Sequence, residues 1–255
     1  MTRISEVFRK GRKVLIAYIT AGYPSPAKTP ELVAALERGG VDLIELGVPF
    51  SDPVADGPII QASSQKALDA GTTLAGVLEM ARTIRKSSDI PLMLFTYLNP
   101  AVRYGFEALA RDAKEAGIDG VLLTDLSVEE ADSYVDIMRK ANLDTIFLAA
   151  PTSSERRLDL VAKYSTGFIY VVSRTGVTGE QQSLSAAAAP LLQKLKSRTS
   201  SPLAVGFGIS NREQAKEAAK HADGVVVGSA IIKAIEQNRD IEEFARELRK
   251  GVDEV

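Results

Sequence analysis

The sequence has no cysteine and a single histidine, His221, among its 255 residues. The lack of cysteine excludes disulfide bonds, thiol catalysis and cysteine metal ligands, and one histidine cannot form a multi-histidine metal site. Tryptophan is also absent, and aromatic residues make up only 6% of the chain. Any chemistry must therefore rely on carboxylates, tyrosine, lysine, arginine or the backbone.

Long apolar runs and a strong net charge are also missing. No stretch approaches the roughly 20 apolar residues of a membrane span, and residues 1–11 are polar and charged, unlike a signal peptide. The net charge is −2, and lysine and arginine are spread along the chain, so nothing indicates a nucleic-acid-binding patch. These features predict a cytoplasmic protein that has neither membrane nor nucleic acid as a partner.

Eight apolar, β-branched runs of strand length alternate with helical patterns. Each run is too uniformly apolar for a sheet with one face in water, which favours parallel strands covered by helices. Eight β/α repeats in about 250 residues are typical of a (β/α)8 barrel. We therefore predict one α/β domain over residues 1–255, a TIM barrel with an extra N-terminal helix. The predicted strands are Val14 to Thr20, Asp42 to Gly47, Pro91 to Tyr97, Gly120 to Asp125, Thr145 to Ala150, Gly167 to Ser173, Pro202 to Gly208 and Gly224 to Gly228.

Short motifs at the starts of helices and strands agree with this prediction. The spacing of a capping box occurs at Ser127/Glu130, Thr152/Glu155 and Ser210/Glu213. Similar lead-ins precede three of the predicted strands. They are Gly40-Val41-Asp42, Ile118-Asp119-Gly120 and Ala222-Asp223-Gly224. We interpret these lead-ins as a faint internal repeat of stacked β/α units.

The run Glu45-Leu-Gly-Val-Pro-Phe-Ser-Asp-Pro-Val-Ala-Asp56-Gly-Pro joins a buried strand to an acidic loop. An ionised side chain in a buried strand is costly to desolvate, so Glu45 has either a compensating partner or a chemical task. Catalytic groups of a barrel belong at the C-terminal ends of its strands. The polar residues at these ends are Glu45, Asp125, Tyr170 and Ser173. The structural alternatives are a hydrogen-bonded core carboxylate for Glu45, a turn former for Asp56 and a core aromatic for Tyr170.

Three glycine-containing turns follow the last three predicted strands. They are Ser173-Arg-Thr-Gly176-Val-Thr178-Gly179, Gly206-Phe-Gly208-Ile-Ser210 and Gly228-Ser229-Ala230. Glycine lets backbone N–H groups approach an anion, and a helix that begins at Ser229 would direct its positive end to the same place. Each turn alone favours the simpler interpretation, a tight β/α connection. Their joint placement predicts a phosphorylated small molecule whose other end reaches Glu45 and Asp56.

These motifs together resemble the tryptophan synthase alpha subunit family. The resemblance extends from Tyr18-Ile-Thr-Ala-Gly-Tyr-Pro24 to Gly228-Ser229, and its most specific parts are the run from Glu45 to Asp56 and the turns at 173–179 and 206–210. It implies a carbon–carbon lyase of tryptophan biosynthesis, which cleaves indole-3-glycerol phosphate into indole and D-glyceraldehyde 3-phosphate by a retro-aldol reaction. No metal and no cofactor are expected on this chain.

The same resemblance implies roles for individual residues. Glu45 looks like the general acid/base at the ring carbon and the side-chain hydroxyl, and Asp56 like the partner of the indole N–H. Desolvation would raise the pKa of Glu45, whereas Asp56 would stay ionised. The implied substrate contacts are Tyr170, Thr178, Gly179, Gly208, Gly228 and Ser229. Two positions depart from the family pattern, because Tyr18 stands where phenylalanine is common and Ser127 where proline is common.

The resemblance also implies a partner. The family works with a beta subunit that holds pyridoxal phosphate and receives the indole, so an α2β2 heterotetramer is expected. The loops after strands two, three and six are expected to meet that partner. These loops contain Asp52-Pro53, Asn99-Pro100 and Thr178-Gly179.

Two other functions are consistent with parts of the pattern. The first is a different phosphate-binding barrel enzyme, such as a sugar-phosphate isomerase or an aldolase; a Schiff-base aldolase needs a lysine inside the barrel, and no predicted strand ends on one. The second is a regulatory subunit that binds a beta partner without catalysis. The presence of both Glu45 and Asp56 argues against it.

Overall fold

The computed structural model describes residues 2–172, 188–206 and 208–255. In this part of the chain, eight parallel strands form a closed barrel in sequence order, and β1 pairs with β8 to close it. The strands are β1 (Val14–Thr20), β2 (Leu43–Gly47), β3 (Leu92–Thr96), β4 (Gly120–Leu123), β5 (Asp144–Ala149), β6 (Ile169–Val172), β7 (Leu203–Gly206) and β8 (Gly224–Val227). The predicted α/β fold, a TIM barrel, is confirmed.

The chain also forms helices, most of which follow a strand and cover the outside of the barrel. They are α1 (Arg3–Phe8), α2 (Lys28–Arg38), α3 (Pro58–Asp69), α4 (Leu74–Arg85), α5 (Leu98–Tyr104), α6 (Phe106–Glu115), α7 (Asp132–Lys140), α8 (Glu155–Tyr164), α9 (Ala188–Lys196), α10 (Arg212–Ala219), α11 (Ser229–Glu236) and α12 (Ile241–Asp253), with a 3₁₀ turn at Val128–Glu130. The loop predicted around Asn99 and Pro100 is thus the short helix α5. All seven residues of β1 are buried, as expected for a strand with side chains on both the barrel interior and the helix layer.

The side chains of each strand alternate between two apolar clusters. On β1, Leu15 and Ala17 pack in the cluster between the strands and the helices, whereas Ile16 points into the barrel. The interior cluster contains residues from every strand together with the first helix. Its buried members are Ile4, Val7, Val14, Ile16, Leu43, Met93, Leu122, Ile146, Phe168, Tyr170, Ala204 and Val226. The barrel is therefore filled by side chains and is not a pore.

Helix α1 closes the barrel at the N-terminal ends of the strands. Ile4 is fully buried there, and a Cβ placed on Gly120 would lie 2.9 Å from its Cδ1 atom. A Cβ on Gly167 would lie 3.0 Å from Ile4, and one on Gly224 would lie 3.2 Å from the ring of Phe8. Glycines at the starts of alternate strands thus make room for α1. The predicted extra N-terminal helix is confirmed as the floor of the barrel.

The strands are joined in pairs by a repeated arrangement of two hydrogen bonds, which we call the clasp. In each clasp, the residue that leads into an even-numbered strand donates its N–H to a carbonyl on the preceding strand at 2.8–3.0 Å. Its side-chain oxygen accepts the N–H of that same residue at 2.9–3.1 Å. The pairs are Asp42 with Leu15, Asp119 with Leu92, Thr166 with Thr145 and Asp223 with Leu203. The predicted internal repeat is confirmed. It has a fourth member at Thr166, which the pattern of the three lead-in sequences did not reveal.

The predicted capping boxes are wrong in detail. Ser127 makes no cap and instead donates its hydroxyl hydrogen bond to Glu129 at 2.5 Å. Helix α8 is capped by Ser154 and α10 by Asn211, each one or two residues after the predicted position. Several oxygen-bearing side chains compete near each helix start, and spacing alone does not decide among them.

Candidate active site

A cavity opens at the C-terminal ends of the strands, at the opposite end of the barrel from α1. Its walls are mostly apolar and aromatic, with two carboxyl groups and a few hydroxyls among them. The lining residues are Tyr18, Glu45, Ala55, Asp56, Ile60, Phe95, Thr124, Leu148, Tyr170, Gly208, Ile209, Val226, Gly228, Ser229 and Ala230. The structure therefore brings Glu45, Asp56, Tyr170, Gly208, Gly228 and Ser229 to one place.

Glu45 lies in the middle of β2 and points into the cavity with no solvent exposure. Within the described residues, neither of its carboxyl oxygens has a hydrogen-bond partner. Burial raises the pKa of Glu45 to about 8, so the group is mostly protonated at neutral pH. The alternative of a core carboxylate held by structural hydrogen bonds therefore has no support in this part of the chain.

Asp56 lies on the loop between β2 and α3 and is 6% exposed. Tyr97, just after β3, donates its hydroxyl hydrogen bond to Asp56 Oδ2 at 2.9 Å and accepts one from the Ala55 N–H at 3.1 Å. The amide of Gln61 binds the Asp56 carbonyl at 2.8 Å. Burial raises the pKa of Asp56 to about 6 and the bond from Tyr97 opposes that rise, so the carboxylate is mostly ionised at pH 7.

Two tyrosines enter the cavity in equivalent ways from opposite sides. Tyr18 on β1 extends over Gly47 of β2, and Tyr170 on β6 extends over Gly206 of β7. A Cβ on either glycine would lie 2.2–2.3 Å from the tyrosine oxygen, so only glycine fits beneath each ring. Tyr170 also belongs to the interior cluster, which means that it both fills the barrel and lines the cavity.

One end of the cavity is formed by backbone groups of the segments that follow β7 and β8. Gly208 has a φ of +83°, which glycine adopts without strain. Helix α11 begins at Ser229, as predicted, and the first N–H groups of a helix have no acceptor within it. The start of α11, at Ser229 and Ala230, lines the cavity and has the N–H groups that an anion can bind. Thr178 and Gly179, in the first predicted turn, lie outside the described residues, as does Ser173.

Sequence reasoning did not single out Phe95 and Leu148, which line the cavity, or Tyr97, which binds Asp56 beside it. Tyr97 and Phe95 belong to the third predicted strand, where they read as ordinary strand aromatics. Leu148 on β5 is similarly inconspicuous. The available signal was the position of Tyr97 at the C-terminal end of its strand, where barrel enzymes carry functional groups. Asp125 does not line the cavity; it follows β4 and accepts the Leu98 N–H at 2.6 Å, which ties the loop after β4 to the start of α5.

The comparison with known proteins identifies the family. The family model described as tryptophan synthase alpha chain matches residues 4–254. The chain belongs to the tryptophan synthase alpha chain family. The tryptophan synthase alpha chain of Solibacter usitatus (strain Ellin6076) is 61% identical over 262 residues, covering 98% of each chain. Tryptophan synthase of Mycobacterium tuberculosis matches with a TM-score of 0.93 and 36% identity, covering 99% of this chain and 98% of that one. The alpha subunit from Legionella pneumophila str. Paris matches with a TM-score of 0.89 and 35% identity over 100% of both chains.

As a member of this family, the chain is a lyase that cleaves indole-3-glycerol phosphate in tryptophan biosynthesis. The predicted family and reaction are confirmed, and the alternatives of another barrel enzyme or a regulatory subunit are set aside. Across residues 2–172, 188–206 and 208–255, no three histidine, aspartate or glutamate side chains are grouped to hold a metal ion. No helix in these ranges is long and apolar enough to cross a membrane.

Proposed function

We propose that Glu45 and Asp56 are the catalytic residues of this lyase, within one catalytic domain. The observation that carries the proposal is the state of Glu45, which is fully buried at the cavity and has no hydrogen-bond partner within the described residues. A carboxyl group in this state retains its full hydrogen-bonding capacity for a substrate, and its raised pKa keeps a proton available at neutral pH. Perturbed groups of this kind cluster at functional sites.

Glu45 acts at the carbon–carbon bond that breaks. The ring carbon that bears the glycerol side chain must gain a proton, and the adjacent side-chain hydroxyl must lose one. Protonated Glu45 gives its proton to the ring carbon, and the resulting carboxylate takes the proton of the hydroxyl. The electron pair of the carbon–carbon bond returns to the ring, so indole and an aldehyde leave together. One group with a pKa of about 8 can perform both transfers near neutral pH.

Asp56 stabilises the charge that forms on the indole nitrogen. Protonation of the ring carbon makes the ring cationic, and an ionised carboxylate beside the N–H lowers the energy of that state. The pKa of about 6 leaves Asp56 ionised at pH 7, and the bond from Tyr97 fixes its direction. The two carboxyl groups thus divide acid/base work and charge stabilisation because their environments differ.

The phosphate occupies the opposite end of the cavity, against Gly208, Gly228 and Ser229. This assignment is supported by the start of α11 and by the glycine backbone at Gly208, both of which favour an anion. Thr178 and Gly179, outside the described residues, stay predicted substrate contacts on the family resemblance, and Tyr170, which lines the cavity, is a third contact in our proposal.

The pH profile of kcat/KM tests these roles. The active form has Glu45 protonated and Asp56 ionised, so activity is expected to fall above the pKa of about 8 and below the pKa of about 6. The substrate phosphate also titrates near pH 6, which adds a second proton to the acid limb. Asp56→Asn is expected to lose about 10²-fold in kcat/KM and to reduce the slope of the acid limb by one proton.

The measurement is the rate of indole release from indole-3-glycerol phosphate, from about pH 5 to about pH 10 at constant ionic strength. The alkaline limb serves as the internal control, because Asp56→Asn leaves Glu45 in place and that limb should not move. An acid limb with the same slope in both proteins would show that Asp56 does not titrate in catalysis.

We also propose that the chain works with a tryptophan synthase beta subunit in an α2β2 complex, with pyridoxal phosphate on that partner. Two of the most exposed large apolar side chains in the described ranges support this. Val54, 76% exposed, lies on the loop after β2, and Val102, 55% exposed, lies on α5 after β3. Both belong to connections at the cavity end of the barrel, so a partner bound there would cover them and the entrance.

Val102→Asp is expected to weaken the binding of the beta subunit about tenfold or more, because it replaces an apolar side chain that the partner would bury with a charged one. The measurement is the rise in indole formation as beta subunit is added to a fixed amount of this chain. Val255→Asp is the matched control, since Val255 is 51% exposed but lies at the end of the chain after α12. Identical titrations for both variants and the wild type would place the interface elsewhere.

A further inference from the structure

The aromatic ring of Tyr18 connects the two ends of the cavity. Its Cβ atom lies beside Gly228, where a built Cβ would be 3.4 Å away, and its hydroxyl lies against Gly47 on β2. Tyr18 is also the register partner of Glu45. The ring therefore runs from the proposed phosphate end towards the two carboxyl groups, and it is only 5% exposed.

The surroundings hold the hydroxyl of Tyr18 in one place. The ring of Phe95 packs edge-on against the ring of Tyr18, with 5.2 Å between the two ring centroids. The hydroxyl lies near the side chain of Thr20, whose Oγ1 atom is 2.7 Å from the buried Ser63 Oγ. Because only glycine fits at position 47, the oxygen occupies space that any other residue there would fill. The hydroxyl is thus a fixed part of the cavity wall.

The hydroxyl also lies within electrostatic reach of the catalytic carboxylates. Burial is the main reason that the pKa of Tyr18 is raised, and the negative charge of Asp56 raises it further, with a smaller contribution from Glu45. Asp56 is the residue to which the indole N–H is assigned above. The Tyr18 oxygen therefore borders the space that the indole ring occupies next to Asp56.

We propose that Tyr18 is a specificity-determining residue, whose hydroxyl limits the size of substituents that the indole ring can carry. The inference rests on the proposed function, because it takes the ring to lie beside Asp56. A hydroxyl on a ring that packs against Phe95 and Gly47 cannot withdraw to admit a methyl group. Removing the oxygen creates room for a group of about that size, and a methyl group in an apolar pocket changes kcat/KM about 10–200-fold.

The test uses the reverse reaction, the condensation of indole with D-glyceraldehyde 3-phosphate. For each protein, kcat/KM is measured with indole and with 4-, 5-, 6- and 7-methylindole. Tyr18→Phe is expected to raise the ratio of methylindole to indole activity about tenfold or more for at least one ring position. The substitution keeps the ring, its contact with Phe95 and the fit over Gly47.

Tyr134→Phe is the matched control. Tyr134 is 1% exposed and donates its hydroxyl hydrogen bond to the Val121 carbonyl at 2.9 Å, away from the residues that line the cavity. Tyr134→Phe loses a hydroxyl oxygen just as Tyr18→Phe does, but away from the cavity. Its ratios of methylindole to indole activity should therefore equal those of the wild type.

Unchanged ratios in Tyr18→Phe at every ring position, with normal turnover of indole, would overturn the role of Tyr18. An equal rise in the Tyr134→Phe control would overturn it as well, since the effect would not depend on the cavity. A wild-type chain that fails to condense indole itself, or a Glu45→Gln variant that condenses it normally, would instead count against the proposed function.

Discussion

Glu45→Gln is expected to lower kcat for indole release about 10²–10⁴-fold, because glutamine has nearly the same shape but neither donates a proton to carbon nor accepts one. The cavity wall keeps its volume, so the KM for indole-3-glycerol phosphate should change little. The loss should therefore appear in kcat, which identifies an interaction made in the transition state. Turnover within a few-fold of the wild type would remove Glu45 from the reaction.

The same variant has an independent readout in stability. The folded-state pKa of Glu45, about 8, lies above its ordinary value of 4.5, so the wild-type protein loses stability as the pH rises from 4.5 through 8. Glutamine does not titrate, and its free energy of unfolding should not show this loss. Relative to the wild type, Glu45→Gln should gain about 3–5 kcal/mol between about pH 4 and about pH 9. Urea unfolding at several pH values measures the difference.

A constant difference across that range would show that Glu45 is not desolvated in the folded protein. That result would leave the kinetic prediction intact, because proton transfer needs position as well as a shifted pKa. Loss of activity together with the pH-dependent gain would link burial of the carboxyl group to its chemical role. A protein that keeps a destabilising group at its active site gives up stability for function.

Asp119→Ala is expected to lower the free energy of unfolding by about 3–5 kcal/mol, since it breaks a buried ion pair. Asp119 Oδ2 accepts from Arg85 Nη2 at 2.9 Å and from the Leu92 N–H at 3.0 Å. The Arg85 side chain is only 12% exposed and would keep its charge without a carboxylate. Chemical unfolding monitored by far-ultraviolet circular dichroism measures the loss.

Asp223→Ala is the matched control for this prediction. Asp223 makes the same clasp, with the Leu203 N–H at 2.9 Å, but it is only partly buried. Its removal should cost about 1–3 kcal/mol, the usual range for a lost hydrogen bond that leaves a buried N–H unpaired. Equal losses in the two variants would show that the pair with Arg85 adds nothing beyond the clasp.

The strand pattern was predictable because parallel strands in a barrel are buried on both faces. The first strand was predicted as Val14 to Thr20 and is observed at the same residues. The sixth was predicted as Gly167 to Ser173, whereas β6 is Ile169–Val172. Gly167 lies ahead of the observed strand, where it makes room for α1. Contacts between distant segments are not visible in local patterns.

The candidate site was predictable to the extent that its residues break a local rule. Glu45 interrupts an apolar strand, and the glycines recur after successive strands, so both attract notice in the sequence. Tyr97 and Tyr18 break no such rule, because aromatic residues are common in strands. Their importance comes from what lies beside them, namely Asp56 for Tyr97 and Gly47 for Tyr18. Such neighbours come from another strand or from the loop that follows it, and the pairing of distant segments decides which they are.

Because α1 closes the barrel at the N-terminal ends of the strands, it restricts the route by which substrate and products can pass. Ile4 and Phe8 fill the far end of the barrel, and the interior cluster lies between them and the cavity. In the described part of the chain, side chains therefore fill the barrel between the cavity and α1. Substrate and products must therefore both pass the C-terminal ends of the strands. A partner protein bound over the cavity entrance would control substrate binding and product release together.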